Sequence, residues 1–125
     1  MRATKVMCVI AVVSMVMGCA GGVSWKWTKE NTILAGADLI LTTLDWSQTR
    51  YIAANPLDYY EKNKLLGKHP SDGQVNSYFP MYFAVKTLVS LAIPNPYRYF
   101  FQGAMIGQDV YYVGSNNGIG IGFKW

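Results

Sequence analysis

The sequence predicts an all-α fold: a small three-helix membrane-associated bundle after an N-terminal signal segment, with a short strand-like C-terminal tail. Three observations carry that expectation. The chain has 125 residues, 51% of them hydrophobic and only 14% charged, against about 25% charged in an average soluble domain. Three long apolar stretches are bounded by Pro, Asn and Gly, the residues that start and stop helices. The few polar residues inside those stretches recur at helical steps, each set on one narrow face.

The first helix is expected from about Asn31 to Ala54, with Thr28 or Asn31 as N-cap and Asn55-Pro56 as the stop. Asp38, Thr42, Asp45 and Thr49 recur in it at steps of four, three and four. The second is expected from about Phe79 to Ile93, with Pro80 in its first turn and Pro94 ending it. Tyr82, Lys86 and Ser90 form its stripe. The third runs from about Pro96 to Val113, where Gly114 and Asn116-Asn117-Gly118 close it. Arg98, Gln102 and Asp109 lie along it at helical spacing, and Gly103-x-x-x-Gly107 allows a close helix approach. Asn55–Asn76 reads as a polar linker. The tail from 114 to 125 alternates Gly with apolar residues and suits a short strand.

A helix in water carries a broad polar face and a narrower apolar stripe. Here the proportions are inverted. A charge at membrane depth costs roughly 2.5–3.5 kcal/mol unless it faces a bundle interior and pairs. The seams hold three acids, Asp38, Asp45 and Asp109, and two bases, Lys86 and Arg98. The expectation is an intramembrane polar seam in which Lys86 pairs with Asp38 or Asp45. Aromatic residues at the segment ends, among them Trp25, Trp27, Trp46, Tyr78, Tyr97, Tyr99, Tyr111 and Tyr112, suit an interfacial belt. Arg50, Lys62, Lys64 and Lys68 outweigh Lys26 and Lys29, which places the linker on the cytoplasmic side. A soluble three-helix domain with tyrosines along its rim is the alternative.

The N-terminus has the order of a secretory signal. Arg2 and Lys5 precede the apolar run Val6–Met17, and small residues follow. The ending Val16-Met17-Gly18-Cys19 resembles the lipobox of the bacterial lipoprotein class, although Val16 and Met17 depart from its commonest Leu-Ala or Leu-Ser. That resemblance implies residues 1–18 as signal peptide, a lipidated (palmitate-bearing) Cys19, and 19–30 as a lipid-anchored juxtamembrane segment. An ordinary cleaved signal with a structural Cys19, or an uncleaved span over the uncharged Val6–Trp25, are the alternatives. The expected localisation is the bacterial cell envelope, with the inner membrane favoured over the outer. Ala20 stands where an Asp signals inner-membrane retention in enteric lipoproteins, but membrane spans would override that rule. The bundle itself would occupy 31–113.

The formal charge is +4, and loss of 1–18 removes Arg2 and Lys5 but no acid, leaving +2. With no basic stripe of interleaved aromatics, nucleic acid is not an expected partner. The expected partners are membrane lipid, an envelope protein and a second copy of the chain. No cofactor beyond the covalent lipid on Cys19 is expected, and no metal, since His-x-x-x-His and Cys-x-x-Cys spacings are missing. Glu61 and His69, with Asp45 as orienter, are the weak candidates for acid/base catalysis. A structured turn explains the same residues.

Asp45-Trp46-x-Gln48-Thr49-Arg50, Glu61-x-Asn63-x-Leu65-Leu66-Gly67-x-His69-Pro70-Ser71 and Val75-Asn76-x-Tyr78-Phe79 together resemble a group of short, uncharacterised bacterial and phage proteins. The resemblance spans about residues 38–83, with Lys64 where that group has Pro. It implies a small envelope membrane protein and no particular activity. The expected function is therefore non-enzymatic: a lipid-anchored envelope membrane protein acting through protein contacts. For a phage-encoded chain, blocking superinfection or assisting lysis are the corresponding roles. A membrane-interface enzyme using Asp45, Glu61 and His69, or a soluble periplasmic binding module tethered by Cys19, are the alternatives.

Overall fold

The computed structural model describes residues 22–123, so the expected signal segment, Cys19 and the last two residues lie outside the described part. Three helices follow one another: α1 Lys29–Ala54, α2 Asp72–Ala92 and α3 Tyr97–Gly118. Among the described residues there is no β-strand beyond an isolated antiparallel bridge between Ser24 and Asn95. The all-α expectation holds, and the strand-like tail is corrected: 119–123 forms a turn and coil. A lone strand has no neighbour to take its backbone hydrogen bonds, whereas here the N–H groups of Ile119 and Ile121 both donate to the Asn116 carbonyl.

Local chemistry fixes the helix ends. Thr28 caps α1 through a reciprocal capping box with Asn31, each side chain accepting from the other's backbone N–H. Ser71 and Gln74 form the same box on α2, so that helix starts seven residues before the expected Phe79. Pro80 then sits inside it on an exposed face, and its missing N–H costs one intrahelical bond. Asn55–Ser71, not Asn55–Asn76, is therefore the linker. The third helix continues through Gly114 to Gly118, and Gly120, at φ +87°, supplies the left-handed residue just beyond its end.

Side-chain contacts set the topology. Ser24 and Asn95 exchange backbone hydrogen bonds of 2.9 and 2.7 Å, joining the start of α1 to the α2–α3 turn. At the opposite end, Gln48 of α1 reaches Asn117 of α3, and Trp46 reaches Asn76 of α2. The bundle runs up, down, up, with α1 parallel to α3, its main packing partner. The turn end holds Ser24–Thr28 and Asn95, and the linker end holds 55–71.

Burial is inverted relative to a water-soluble bundle. Among the described residues the buried hydrophobic side chains are Ile52, Val75, Phe79, Val113 and Ile121, all toward the linker end, where Trp46 stacks on Phe79. Sixteen polar or charged residues are buried, including Asp38, Asp45, Lys86, Arg98 and Asp109. Ile33, Ile40 and Leu88 meanwhile stand outside at 62%, 63% and 64% exposure, with Leu39, Met81, Val85 and Leu91 also exposed. Among the described residues no helix is long and apolar enough to cross a membrane when its own sequence is averaged.

Candidate functional site

The polar interior is built in three layers. At the turn end, Asn31 donates to Asn95 Oδ1 (3.2 Å) and Gln102 Oε1 (3.0 Å), and Gln102 Nε2 donates back to the Asn31 carbonyl. Arg98, 1% exposed, reaches this layer from the first turn of α3. Its Nε donates to the Ser90 carbonyl at 2.6 Å, capping the last turn of α2, and its other nitrogens take the Lys26 and Trp25 carbonyls and Asn31 Oδ1. The guanidinium also lies 5.1 Å from the Trp27 ring. Every one of these acceptors is neutral, so Arg98 acts as a multi-donor clamp on carbonyls. It holds Trp25–Lys26, just downstream of Cys19, against the bundle. Outside this layer, at the helix start, the backbone N–H and then the Thr28 hydroxyl hold the exposed Glu30 carboxyl below the usual carboxylate range.

The middle layer is ionic. Lys86 Nζ lies 2.8 Å from each of Asp38 Oδ1, Thr42 Oγ1 and Asp109 Oδ2, which uses all three ammonium N–H groups. The Thr42 hydroxyl donates to Asp109 Oδ2, also at 2.8 Å, and Tyr82 covers the ammonium, its ring centre 4.2 Å from Nζ. The Lys86 partner on α3 is thus Asp109, alongside Asp38, while Asp45 bonds elsewhere. One lysine serves two carboxylates, each contributed by a different helix. A cavity of about 20 Å³ beside it, bordered by Asp38, Lys86, Ser90 and Gln102, has room for one water.

The layer nearest the linker holds Asp45, Gln48, Thr49, Asn116, Glu61 and Asn63, all buried. Asn116 Nδ2 donates to Gln48 Oε1 (3.2 Å) and more weakly to Asp45 Oδ1 (3.4 Å). Gln48 Nε2 holds Asn117 and the Ile121 carbonyl, drawing the tail onto the bundle. The linker folds inward at Glu61, whose Oε1 accepts from the Asn63 N–H at 2.8 Å, and Asn63 Nδ2 donates to the Tyr78 hydroxyl. Glu61 Oε2 is buried and meets no hydrogen-bond donor.

His69 is not part of that layer. It is exposed and lines a shallow hollow of about 250 Å³ with Pro56, Leu57, Asp58, Tyr59, Tyr60 and Lys68, while Glu61 turns inward. Among the described residues no group of three or more His, Cys, Asp or Glu is gathered to hold a metal. Gly103 and Gly107 are both buried on α3.

The sequence marks Asn31 as a candidate N-cap and Asn116 as part of a helix stop, not as interior groups, yet each lies seven residues from a seam acid, Asp38 and Asp109 respectively. Extending the same step by one heptad would have found both. Asn63 and Asn95 sit in connections that carry no period, so no repeat could point to them. No protein-family model matches the chain, and comparison with curated proteins and with solved structures likewise gives no match.

Proposed function

We propose that the protein is a non-enzymatic, lipid-anchored membrane protein of the bacterial envelope, working through contacts with other envelope proteins, with its bundle immersed in the bilayer. The observation that carries this reading is the reversed distribution of charge. Between Glu30 and Arg50 of α1 the only ionisable side chains are Asp38 and Asp45, both buried. Beyond Asp72 in α2 the only one with a formal charge at neutral pH is Lys86, and beyond Arg98 in α3 it is Asp109. The outer surface of each helix is therefore free of charge for about 19 or 20 residues, or ~28–30 Å at 1.5 Å per residue. The hydrocarbon core of a bilayer is about 30 Å thick.

Averaged along its own length, no helix is apolar enough to span, because the average counts the buried seam together with the outer face. Lipid would meet only the outer face. The ionic layer of Lys86, Asp38, Thr42 and Asp109 satisfies its charges within the bundle, which is the condition for tolerating them at membrane depth. Exposed Trp25 and Tyr97 at the turn end, and Tyr60 and Tyr111 toward the linker end, suit the two interfaces.

Arg50, Lys62, Lys64 and Lys68 gather at the linker end, which the positive-inside preference assigns to the cytoplasm. The turn end, which follows Cys19, then faces outward, as a lipid-modified cysteine on the outer side of the inner membrane requires. Alkaline carbonate extraction of a Cys19→Ala variant tests the reading. Retention in the membrane pellet is expected. Release into the supernatant would instead identify a soluble domain held by its lipid alone.

A further inference from the structure

We infer that Asp45 and Glu61, together with Thr49 and Asn116, form a binding site for a small hard divalent cation such as Mg²⁺ at the linker end of the bundle. Asp45 and Glu61 are each 5% exposed. They come from different parts of the chain, α1 and the linker. The Glu61 charge is felt at Asp45, and both charges are felt at the Tyr112 hydroxyl. Two buried carboxylates that feel each other's charge repel and are costly unless a cation or a proton compensates them.

The second, independent observation is Glu61 Oε2 itself. It is buried, carries lone pairs, and has no donor directed at it, although Oε1 of the same group is held by the Asn63 N–H. Asp45 accepts a long 3.4 Å contact from Asn116 and has the Thr49 hydroxyl beside it. Lys86 has given its three N–H groups to Asp38, Thr42 and Asp109, and Arg50 pairs with Asp72 at 3.5 Å on the surface.

The donor set chooses the ion. All the available ligands are oxygens: two carboxylates, the buried Thr49 hydroxyl one turn beyond Asp45, and the Asn116 amide after a flip of its end group. No imidazole or thiolate is included, which disfavours zinc and copper. Mg²⁺ characteristically uses one or two carboxylates and keeps several of its waters, so a two-carboxylate site beside the aqueous end of the bundle meets its needs. The site does not depend on the bundle being in a membrane. A bound cation would pin the linker to α1 and α3 and bring opposite charge to both acids.

The test uses the purified full-length chain in detergent micelles, stripped with chelator and then freed of it. Thermal unfolding is followed while MgCl2, CaCl2 or NaCl is added at constant ionic strength. A saturable rise in midpoint with Mg²⁺ or Ca²⁺ but not Na⁺ is expected, equivalent to about a 100-fold lower unfolding constant at 100 times the dissociation constant. Glu61→Gln and Asp45→Asn should abolish the response, and Asp58→Asn, at an exposed acid, should keep it.

Terbium provides a readout that needs no variant: emission sensitised by Tyr78, Tyr112 or Trp46 in the wild-type chain, saturable and reversed by Ca²⁺ or Mg²⁺. Absence of such emission overturns the proposal, as does an ion response that survives in both variants. A wild-type midpoint that rises on acidification while ignoring every ion overturns it too, since the pair would then hold a proton.

Discussion

Replacing Lys86 puts the greatest strain on the middle layer. Lys86 is 4% exposed, and its ammonium donates to two carboxylates and a hydroxyl, each at 2.8 Å. Lys86→Ala leaves Asp38 and Asp109 buried, facing the same space, with no counter-charge. Removing one partner of a buried ion pair costs about 3–5 kcal/mol, and here two partners are stranded at once. Lys62 is the control. It is exposed and gives a single bond to Ser115, so Lys62→Ala should cost about 0–1 kcal/mol. For a domain of this size 1 kcal/mol moves the midpoint by roughly 4–8 °C. Lys86→Ala should therefore lower the melting temperature by more than about 12 °C in micelles followed by circular dichroism, and Lys62→Ala by no more than about 8 °C. The triple variant Lys86→Met, Asp38→Asn, Asp109→Asn removes all three charges and should recover a large part of the loss. Equal effects of the two single alanine variants, or no recovery in the triple variant, would refute the ionic-layer argument.

Arg98→Ala should release Trp25 and Lys26 from the α2–α3 turn, at a cost of about 2–4 kcal/mol for several charge-assisted bonds; limited proteolysis would report it as new cleavage near Ser24 with the helices still protected. Thr28→Ala should cost about 1 kcal/mol through loss of the α1 capping box, measured by denaturant titration, whereas a change within error would mean that Tyr99, 2.8 Å from the same hydroxyl, already holds that end. The Glu30 carboxyl titrates below its ordinary value of 4.5, so its contribution is complete above that value and fades as pH falls through the lower folded one. Amide exchange at the start of α1 should accordingly be slower at pH of about 6 than at about 3, after correction for intrinsic rates. His69→Ala should leave both stability, within about 0.5 kcal/mol, and phenotype unchanged. Loss of phenotype at normal membrane levels would point to chemistry instead.

The seams made most of the interior legible. Asp38, Thr42, Asp45 and Thr49 fall on one face of a 3.6-residue helix, and all four are buried in the bundle. Period alone does not give the register of one helix against another, and so it left Asp38 and Asp45 as alternatives for Lys86 and did not point to Asp109, which joins Asp38 there. The start of α2 was misread because Phe79-Pro80 imitates a first turn, while the true signal, Ser71-x-x-Gln74, lies in a polar stretch that reads as linker. The end of α3 was misread because Gly114 breaks helices on average, yet Asn116, two residues later, is tied to Asp45 and Gln48 and carries the helix onward. Glu61 and Asn63 lie in a connection without periodicity. Only the spatial fold brings them to Asp45.

The central claim is that lipid, not water, covers the apolar outer faces while the charges of the seam are held within the bundle. Spin labels at positions 40, 88 and 64, introduced singly as cysteines in a Cys8→Ser, Cys19→Ser background and reconstituted in vesicles, test it most directly. Labels replacing Ile40 and Leu88 should collide far more with oxygen than with a water-soluble nickel chelate, and the label replacing Lys64 should show the reverse. Nickel accessibility at 40 and 88 equal to that at 64 would contradict the account.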